Sequence, residues 1–136
     1  MIRKIQSTQA GWGVALLRIT LGVVFFREGA MKLFGWFGGG GFASTCAYFR
    51  QLGIPFPEFN AVWVGSVELV GGAALLAGFL TRLAAVPIAA TMGVAITTAH
   101  LAGGWSYPAL IIASCAALLQ AGSGPLSVDA ALSKKP

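Results

Sequence analysis

The 46 residues between Arg82 and Asp129 contain no Asp, Glu, Lys or Arg, and their only histidine is His100. Over the whole chain 10% of residues are charged and 57% are hydrophobic, whereas a soluble domain has about 25% charged residues. A soluble fold of 136 residues needs a polar surface to cover its core. Because this chain lacks the residues to make one, the sequence predicts an integral membrane protein.

Four apolar runs approach the roughly 20 residues that a helix needs to cross the hydrocarbon. Turn signals separate them: five glycines within 35–41, "IPFP" at 54–57, "TR" at 81–82 and "GGWSYP" at 103–108. The sequence predicts an all-α fold, a polytopic membrane four-helix bundle that forms a single transmembrane domain over 1–136. The predicted helices cover about 11–34, 60–80, 83–103 and 105–122, with an outer loop over 35–59.

Part of the outer loop, "FASTCAYFRQLGIP" at 42–55, is able to form a short amphipathic helix on the membrane surface. Two interpretations stay open for it. It is either an interfacial cap without a ligand or a lid over the polar outer end of the bundle.

The basic residues predict the orientation. With both termini cytoplasmic, five basic residues lie inside and two outside, as the positive-inside rule requires. The inner residues are Arg3, Lys4, Arg82, Lys134 and Lys135, and the outer ones are Lys32 and Arg50. They lie at the ends and joints of apolar runs rather than in one patch, so no nucleic-acid partner is expected.

The first apolar run, "LLRITLGVVFFREGAMKLFG" at 16–35, carries four charges. A charge at the bilayer centre costs roughly 2.5–3.5 kcal/mol, so these side chains should face something other than lipid. Helical spacing places two of the cations on one face with small residues, which is typical of a helix–helix contact. That face consists of Gly11, Ala15, Arg18, Gly22, Phe25, Gly29 and Lys32. Arg27 lies on the opposite face, either reaching the outer headgroups or contacting a partner subunit.

Two more helices have a comparable face. The second presents Ala61, Gly65, Glu68, Gly72 and Phe79, and the third presents Ala89, Gly93, Thr97 and His100. By helical rise Arg18 and Glu68 differ in depth by only about 7 Å. We therefore expect a structural ion pair between Arg18 and Glu68.

A candidate ligand site lies in the outer half of the bundle, beneath the loop. Lys32, Glu28 and His100 fall within about 5–8 Å of the outer boundary, with Glu68 somewhat deeper. We expect Gly29, Gly72 and Phe25 to line the cavity. There Lys32 or His100 would donate to a quinone carbonyl, and Glu68 would exchange protons. The alternative is a polar cluster that only fixes helix order.

The remaining chemistry is sparse. Cys46 lies in the outer loop and Cys115 in the fourth helix, so they form no C-x-x-C motif. One histidine and two separated cysteines do not suggest a haem, zinc or iron–sulfur site. No metal and no covalently bound cofactor is expected, and a quinone is the candidate ligand.

Several segments together resemble the DoxX family of small four-helix bacterial membrane proteins. They are "R-x8-REGAMKLFG", "LGIPFP", "VELVGGAALLAGFLTR", a histidine near the end of the third helix, and "GPLSVDAAL", over about 12–132. The resemblance implies a multi-pass protein of the bacterial inner membrane, tied to thiosulfate:quinone oxidoreduction or to quinone and thiol stress. The family's polar positions match Arg18, Lys32, Glu68, Arg82 and His100.

Three functions remain compatible with these residues. The preferred one is a membrane subunit of an oxidoreductase system that handles a quinone or a small sulfur or thiol substrate. The others are a non-catalytic membrane anchor or assembly partner for a co-expressed enzyme, and a small-solute transporter. Besides the lipid bilayer, the expected partner is another protein subunit or a second copy of the chain. Whether the chain is itself an enzyme stays open at this point.

Overall fold

The computed structural model describes residues 11–99 and 103–133, and every regular element within those ranges is helical. His100 lies outside the described residues, as do Arg3, Lys4, Lys134 and Lys135. The helices are α1 (Gly11–Phe34), α2 (Gly41–Gln51), α3 (Pro57–Ala77), α4 (Thr81–Thr98), α5 (Ser106–Ala121) and α6 (Val128–Ser133). A short 3-10 turn, Trp36–Gly38, precedes α2.

Helix α3 begins three residues before the predicted position, at Pro57. Proline suits the first turn of a helix because its missing N–H would have had no partner there. The helix ends at Ala77 because Gly78 adopts a left-handed conformation, with φ 68°, which stops the hydrogen-bonding pattern. The segment predicted to form the outer loop contains a full helix, α2, whose Thr45, Cys46 and Phe49 are buried.

Small residues let α1 and α3 pack closely in antiparallel orientation. A Cβ added to Gly29 would lie 2.7 Å from the Cα of Leu69, and one added to Gly22 would lie 2.8 Å from the Leu76 nitrogen. Real side chains do not fit at such distances, so glycine is required there. The predicted inward faces of α1 and α3 are confirmed for most of their residues. Five residues of the predicted α1 face and four of the predicted α3 face are buried. They are Ala15, Arg18, Gly22, Phe25 and Gly29, and Ala61, Gly65, Glu68 and Gly72.

The predicted face of α4 is mostly wrong, although one of its residues, Ala89, packs against the core. Its buried residues are Thr81, Ala85, Ile88 and Met92, whereas Thr97 is exposed. This face meets α3 and α5 together, and branched or long side chains fill the space between three helices better than Gly93 would. Ile88 and Met92 belong to the main core, where they accompany Leu21, Phe25, Leu75, Ile111, Cys115 and Leu118.

Two of the described helices, α3 and α4, are long and apolar enough to cross a membrane. Helix α5 is apolar but has 16 residues, and the 24-residue α1 carries four charged side chains. Large apolar side chains point away from the core on all four helices, for example Leu16, Val70, Leu83 and Leu110. These surfaces suit lipid rather than water.

The four long helices form two pairs, α1 with α3 and α4 with α5. The pairs are held together near Gly78, where α3 passes into α4 and where Arg18 lies; we name this the Arg18 end. We name the opposite end, where Lys32 lies, the Lys32 end. A cavity separates the two pairs there, and α1 and α5 contact each other little.

Candidate functional site

Three charged side chains at the Lys32 end form a connected cluster. The Lys32 ammonium donates to Glu68 Oε2 at 2.7 Å and to Glu28 Oε2 at 3.4 Å. Glu28 in turn lies 3.6 Å from Arg27. Along this series of contacts the exposed fraction of the side chain rises from 3% for Glu68 to 25% for Lys32, 35% for Glu28 and 52% for Arg27. The cluster therefore connects a buried carboxylate to the molecular surface.

The helices position this cluster directly. Glu28 and Lys32 are one turn apart on α1, in the order that favours an ion pair. Glu68 faces them because the close approach of Gly29 to Leu69 brings α3 within reach of the lysine side chain. Thr45 of α2 donates to the Lys32 carbonyl at 3.1 Å, which holds α2 over this end.

A cavity of about 400 Å³ lies beside the cluster, within the size range of small-molecule sites. All three charged residues line it, together with side chains from α2, α3, α4 and α5. Its walls are mainly apolar and aromatic, including Phe25, Phe49 and Trp63. The arrangement combines a cation, two carboxylates and flat apolar surfaces.

The expected ion pair between Arg18 and Glu68 does not form. Arg18 is fully buried, and its guanidinium donates five hydrogen bonds, all to backbone carbonyls. The acceptors are Ser123 (2.8 Å), Leu75 (2.7 Å), Leu76 (3.1 Å), Pro125 (3.2 Å) and Leu126 (2.8 Å). Glu68 pairs with Lys32 instead.

The cause is the register between α1 and α3. Because Gly22 meets Leu76 and Gly29 meets Leu69, Arg18 lies opposite the end of α3. Leu75 is seven residues beyond Glu68, which is about 10 Å along the helix. The arginine therefore reaches the carbonyls of the last turn of α3, where cations are stabilised.

Of the other expected site residues, Phe25 lines the cavity, whereas Gly29 and Gly72 lie in the α1–α3 contact. His100, the fourth ligand-binding candidate, lies outside the described residues. Tyr107, Asn60 and Thr91 also line the cavity, although no sequence pattern predicts them as site residues. Tyr107 belongs to "GGWSYP", a pattern typical of a turn, which predicts no ligand role for the tyrosine at the start of α5.

A second polar cluster lies at the Arg18 end. Asp129 accepts hydrogen bonds from the backbone N–H of Leu80 (2.9 Å), the N–H of Thr81 (3.2 Å) and the Ser123 hydroxyl. Partial desolvation opposes ionisation of this carboxyl, but these hydrogen bonds outweigh it and lower the pKa of Asp129 below its usual value. They attach α6 to the turn between α3 and α4.

The two cysteines are buried free thiols on different helices, α2 and α5. Within 11–99 and 103–133, no three His, Cys, Asp or Glu side chains lie close enough to hold a metal ion together.

Comparison with known proteins identifies the family. The DoxX family model matches residues 13–101, well over half of the chain. A Bacillus subtilis (strain 168) protein named "Putative oxidoreductase CatD" is 31% identical over 121 residues, which is 86% of this chain and 84% of that protein. No solved structure gives a significant match.

A second relative supports the membrane assignment. The Mycobacterium tuberculosis (strain ATCC 25618 / H37Rv) protein named "Uncharacterized membrane protein Rv3486" is 38% identical over 90 residues, covering 65% of this chain and 51% of that protein. The apolar outer surfaces of the helices agree with that name. The chain is a membrane protein of the DoxX family.

Proposed function

We propose that this chain is the membrane subunit of an oxidoreductase system, and that the cavity at its Lys32 end binds a quinone or a small sulfur or thiol substrate. In this proposal the four long helices cross the bacterial inner membrane and both termini are cytoplasmic. The relative named as an oxidoreductase supports the reaction class. The distribution of basic residues supports the orientation.

The observation that carries the proposal is a charged pair buried beside a cavity of ligand size. Ionisable groups within a membrane protein are costly and usually mark substrate or proton pathways. Lys32 and Glu68 are 2.7 Å apart and both line the cavity. A pair that only held two helices together would not need an adjoining cavity of about 400 Å³.

The chemistry of a quinone suits these residues. Reduction of a quinone to a quinol consumes two electrons and two protons, and its oxidation releases them. Lys32 would donate a hydrogen bond to a carbonyl oxygen of the ring. The hydrogen bonds that connect Glu68 to Lys32 and Lys32 to Glu28 would pass protons between the cavity and the surface. The electrons would come from, or go to, a redox enzyme associated with this subunit.

The test is binding of a short-chain 1,4-benzoquinone to the purified protein in lipid nanodiscs. Lys32→Ala should weaken binding by about 10- to 100-fold, because a hydrogen bond to a charged group contributes about 1.5–3 kcal/mol. Arg27→Ala is the matched control, since Arg27 is on the same helix and exposed.

If Lys32→Ala and Arg27→Ala bind the quinone equally well, Lys32 is not part of the site. If the parent protein binds neither the quinone nor a small thiol, the proposal fails. If the parent protein folds, binds neither compound and co-purifies with a redox enzyme, it is a non-catalytic anchor. Solute flux in liposomes would instead identify a transporter.

A further inference from the structure

The cavity at the Lys32 end extends between α3 and α4. These two helices meet near the turn that joins them, where a Cβ added to Gly71 would lie 2.9 Å from Ile88 Cδ1. Farther from the turn, each helix contributes a row of residues to the cavity wall. The rows include Trp63 and Val64 on α3, and Pro87, Ala90, Val94 and Ala95 on α4. Their spacing of three and four residues places the α4 row on one face of that helix.

This part of the wall makes no demand for a polar ligand, although it includes two threonines and an asparagine. The Thr91 and Thr98 hydroxyls each donate at 2.8 Å to a carbonyl of their own helix. The Asn60 amide group donates to the carbonyls of the two residues that precede α3. The charged residues of the wall lie instead on α1 and at Glu68. The cavity is therefore charged on one side and apolar between α3 and α4.

The apolar side of the cavity reaches the surface of the molecule. Phe25 and Glu68 line the cavity and are at most 2% exposed, so they mark its inner end. Trp63 and Val94 also line it, yet they are 56% and 57% exposed. They lie on α3 and α4, the two described helices that are long and apolar enough to cross a membrane. At this side the cavity faces hydrocarbon rather than water.

The opposite approach, from the end of the molecule, is covered by α2. Phe49 of this helix lines the cavity and packs with Cys46 and Ala61 in a small core of its own. Thr45 attaches α2 to α1 through the Lys32 carbonyl. A ligand that came from water would have to pass this packed helix, whereas a ligand dissolved in the bilayer would meet only α3 and α4.

We propose that the cavity opens to the bilayer between α3 and α4, and that its ligand carries a hydrocarbon tail that lies between Trp63 and Val94. The polar head of the ligand lies beside Lys32 and Glu68. This inference rests on the proposed function and narrows it to a lipid-soluble quinone. A small thiol or sulfur oxyanion has no tail to place against the apolar rows.

The experiment compares two quinones that share one head. One is a decyl-substituted 1,4-benzoquinone, and the other has a methyl group in place of the decyl chain. Val94→Trp narrows the gap, so it should weaken binding of the decyl quinone about tenfold and change binding of the methyl quinone less than twofold. Val86→Trp is the matched control, because Val86 is an equally exposed valine of α4 that is not part of the cavity wall. All measurements use the full-length protein in nanodiscs of one lipid composition, so partitioning of each quinone into lipid is the same for every variant.

Three results would overturn the inference. If Val94→Trp and Val86→Trp bind the decyl quinone equally well, the tail does not lie between α3 and α4, although the proposed function stands. If Val94→Trp weakens both quinones equally, the tryptophan disturbs the head and not a tail. If the parent protein binds neither quinone and no small thiol, the proposed function fails as well.

A second measurement decides the matter if Val94→Trp does not fold or if the methyl quinone binds too weakly to measure. A decyl quinone with a photoreactive diazirine at the end of its chain should label peptides from 57–77 and 81–98 of the parent protein. An excess of unlabelled decyl quinone should prevent this labelling. Labelling confined to α1, α2 or α5 would contradict the inference, and labelling that the excess does not prevent would show that bilayer lipid fills the gap instead.

Discussion

At the scale of single residues, Arg18 combines a fully buried side chain with hydrogen bonds that go to backbone carbonyls alone. The sequence has four Asp and Glu side chains, all among the described residues, and none of these carboxylates lies within ion-pair distance of the guanidinium. Each of the five N–H groups of an arginine has a fixed direction, and here each finds a carbonyl. The side chain thereby joins α1, the end of α3 and the segment 123–126.

Replacing Arg18 with lysine should destabilise the protein. Arg18→Lys keeps the charge but supplies three donors in place of five, so at least two of the five carbonyls lose their hydrogen bond to this side chain. We expect the free energy of unfolding to fall by about 3 kcal/mol, measured by denaturant unfolding in detergent. Arg27→Lys, at an exposed position on the same helix, should change it by less than about 0.5 kcal/mol. Similar values for the two variants would contradict the hydrogen-bonded role of Arg18.

Glu68 offers a second test at this scale. Glu68→Gln removes the closer of the two carboxylate charges beside the Lys32 ammonium and leaves only that of Glu28, and removing one charge of a buried pair typically costs about 3–5 kcal/mol. The yield of folded protein should fall well below that of Glu58→Gln, since Glu58 forms an exposed ion pair with Arg50. If both variants fold equally well, Glu68 is hydrated and the pair with Lys32 adds no stability.

At the scale of elements, the sequence predicted which faces of α1 and α3 meet, because glycine and alanine at helical spacing mark a close contact. It did not predict how far one helix is displaced along the other. Periodicity identifies residues that share a face, but the register depends on pairs such as Gly22 with Leu76, which become known only when both helices are packed. The Arg18–Glu68 expectation failed for that reason.

The same limit explains the error at α4. Its small and polar residues suggested an inward face, yet the space between α3 and α5 is filled by Ile88 and Met92. Of the candidate site, Glu28, Lys32 and Glu68 are brought together, since they lie near the same depth on two touching faces. Tyr107 lines the same cavity from a different helix, α5, and no local pattern relates it to them.

The attachment of α6 should depend on pH. Asp129 has a lowered pKa in the folded protein, so its ionised form stabilises the fold. This contribution is complete above the usual pKa of an aspartate, about 3.9, and is lost as pH falls through the lower folded value. Thermal unfolding in detergent between pH 2 and 6 should therefore show a stability loss at acid pH. Asp129→Asn should flatten that part of the curve, and an unchanged curve would exclude the role of these hydrogen bonds.

At the scale of the whole molecule, the proposed orientation can be tested by fusions. Alkaline phosphatase, which is active only outside the cytoplasm, should be active when inserted near Gly40 and inactive when fused after Pro136. The reason is the excess of basic residues on the side of the termini. The reverse pattern of activity would invert the sidedness and place the Lys32 end at the cytoplasmic surface.

The position of Arg18 has a consequence for leakage of ions. A guanidinium stays protonated at any pH a cell experiences, and here it is locked between helices at one end of the molecule. A fixed positive charge of this kind repels hydronium and alkali cations, as in channels that exclude protons. In the proposed function the Arg18 end would therefore oppose the passage of cations, and a proton released in the cavity would leave at the Lys32 end without short-circuiting the membrane potential.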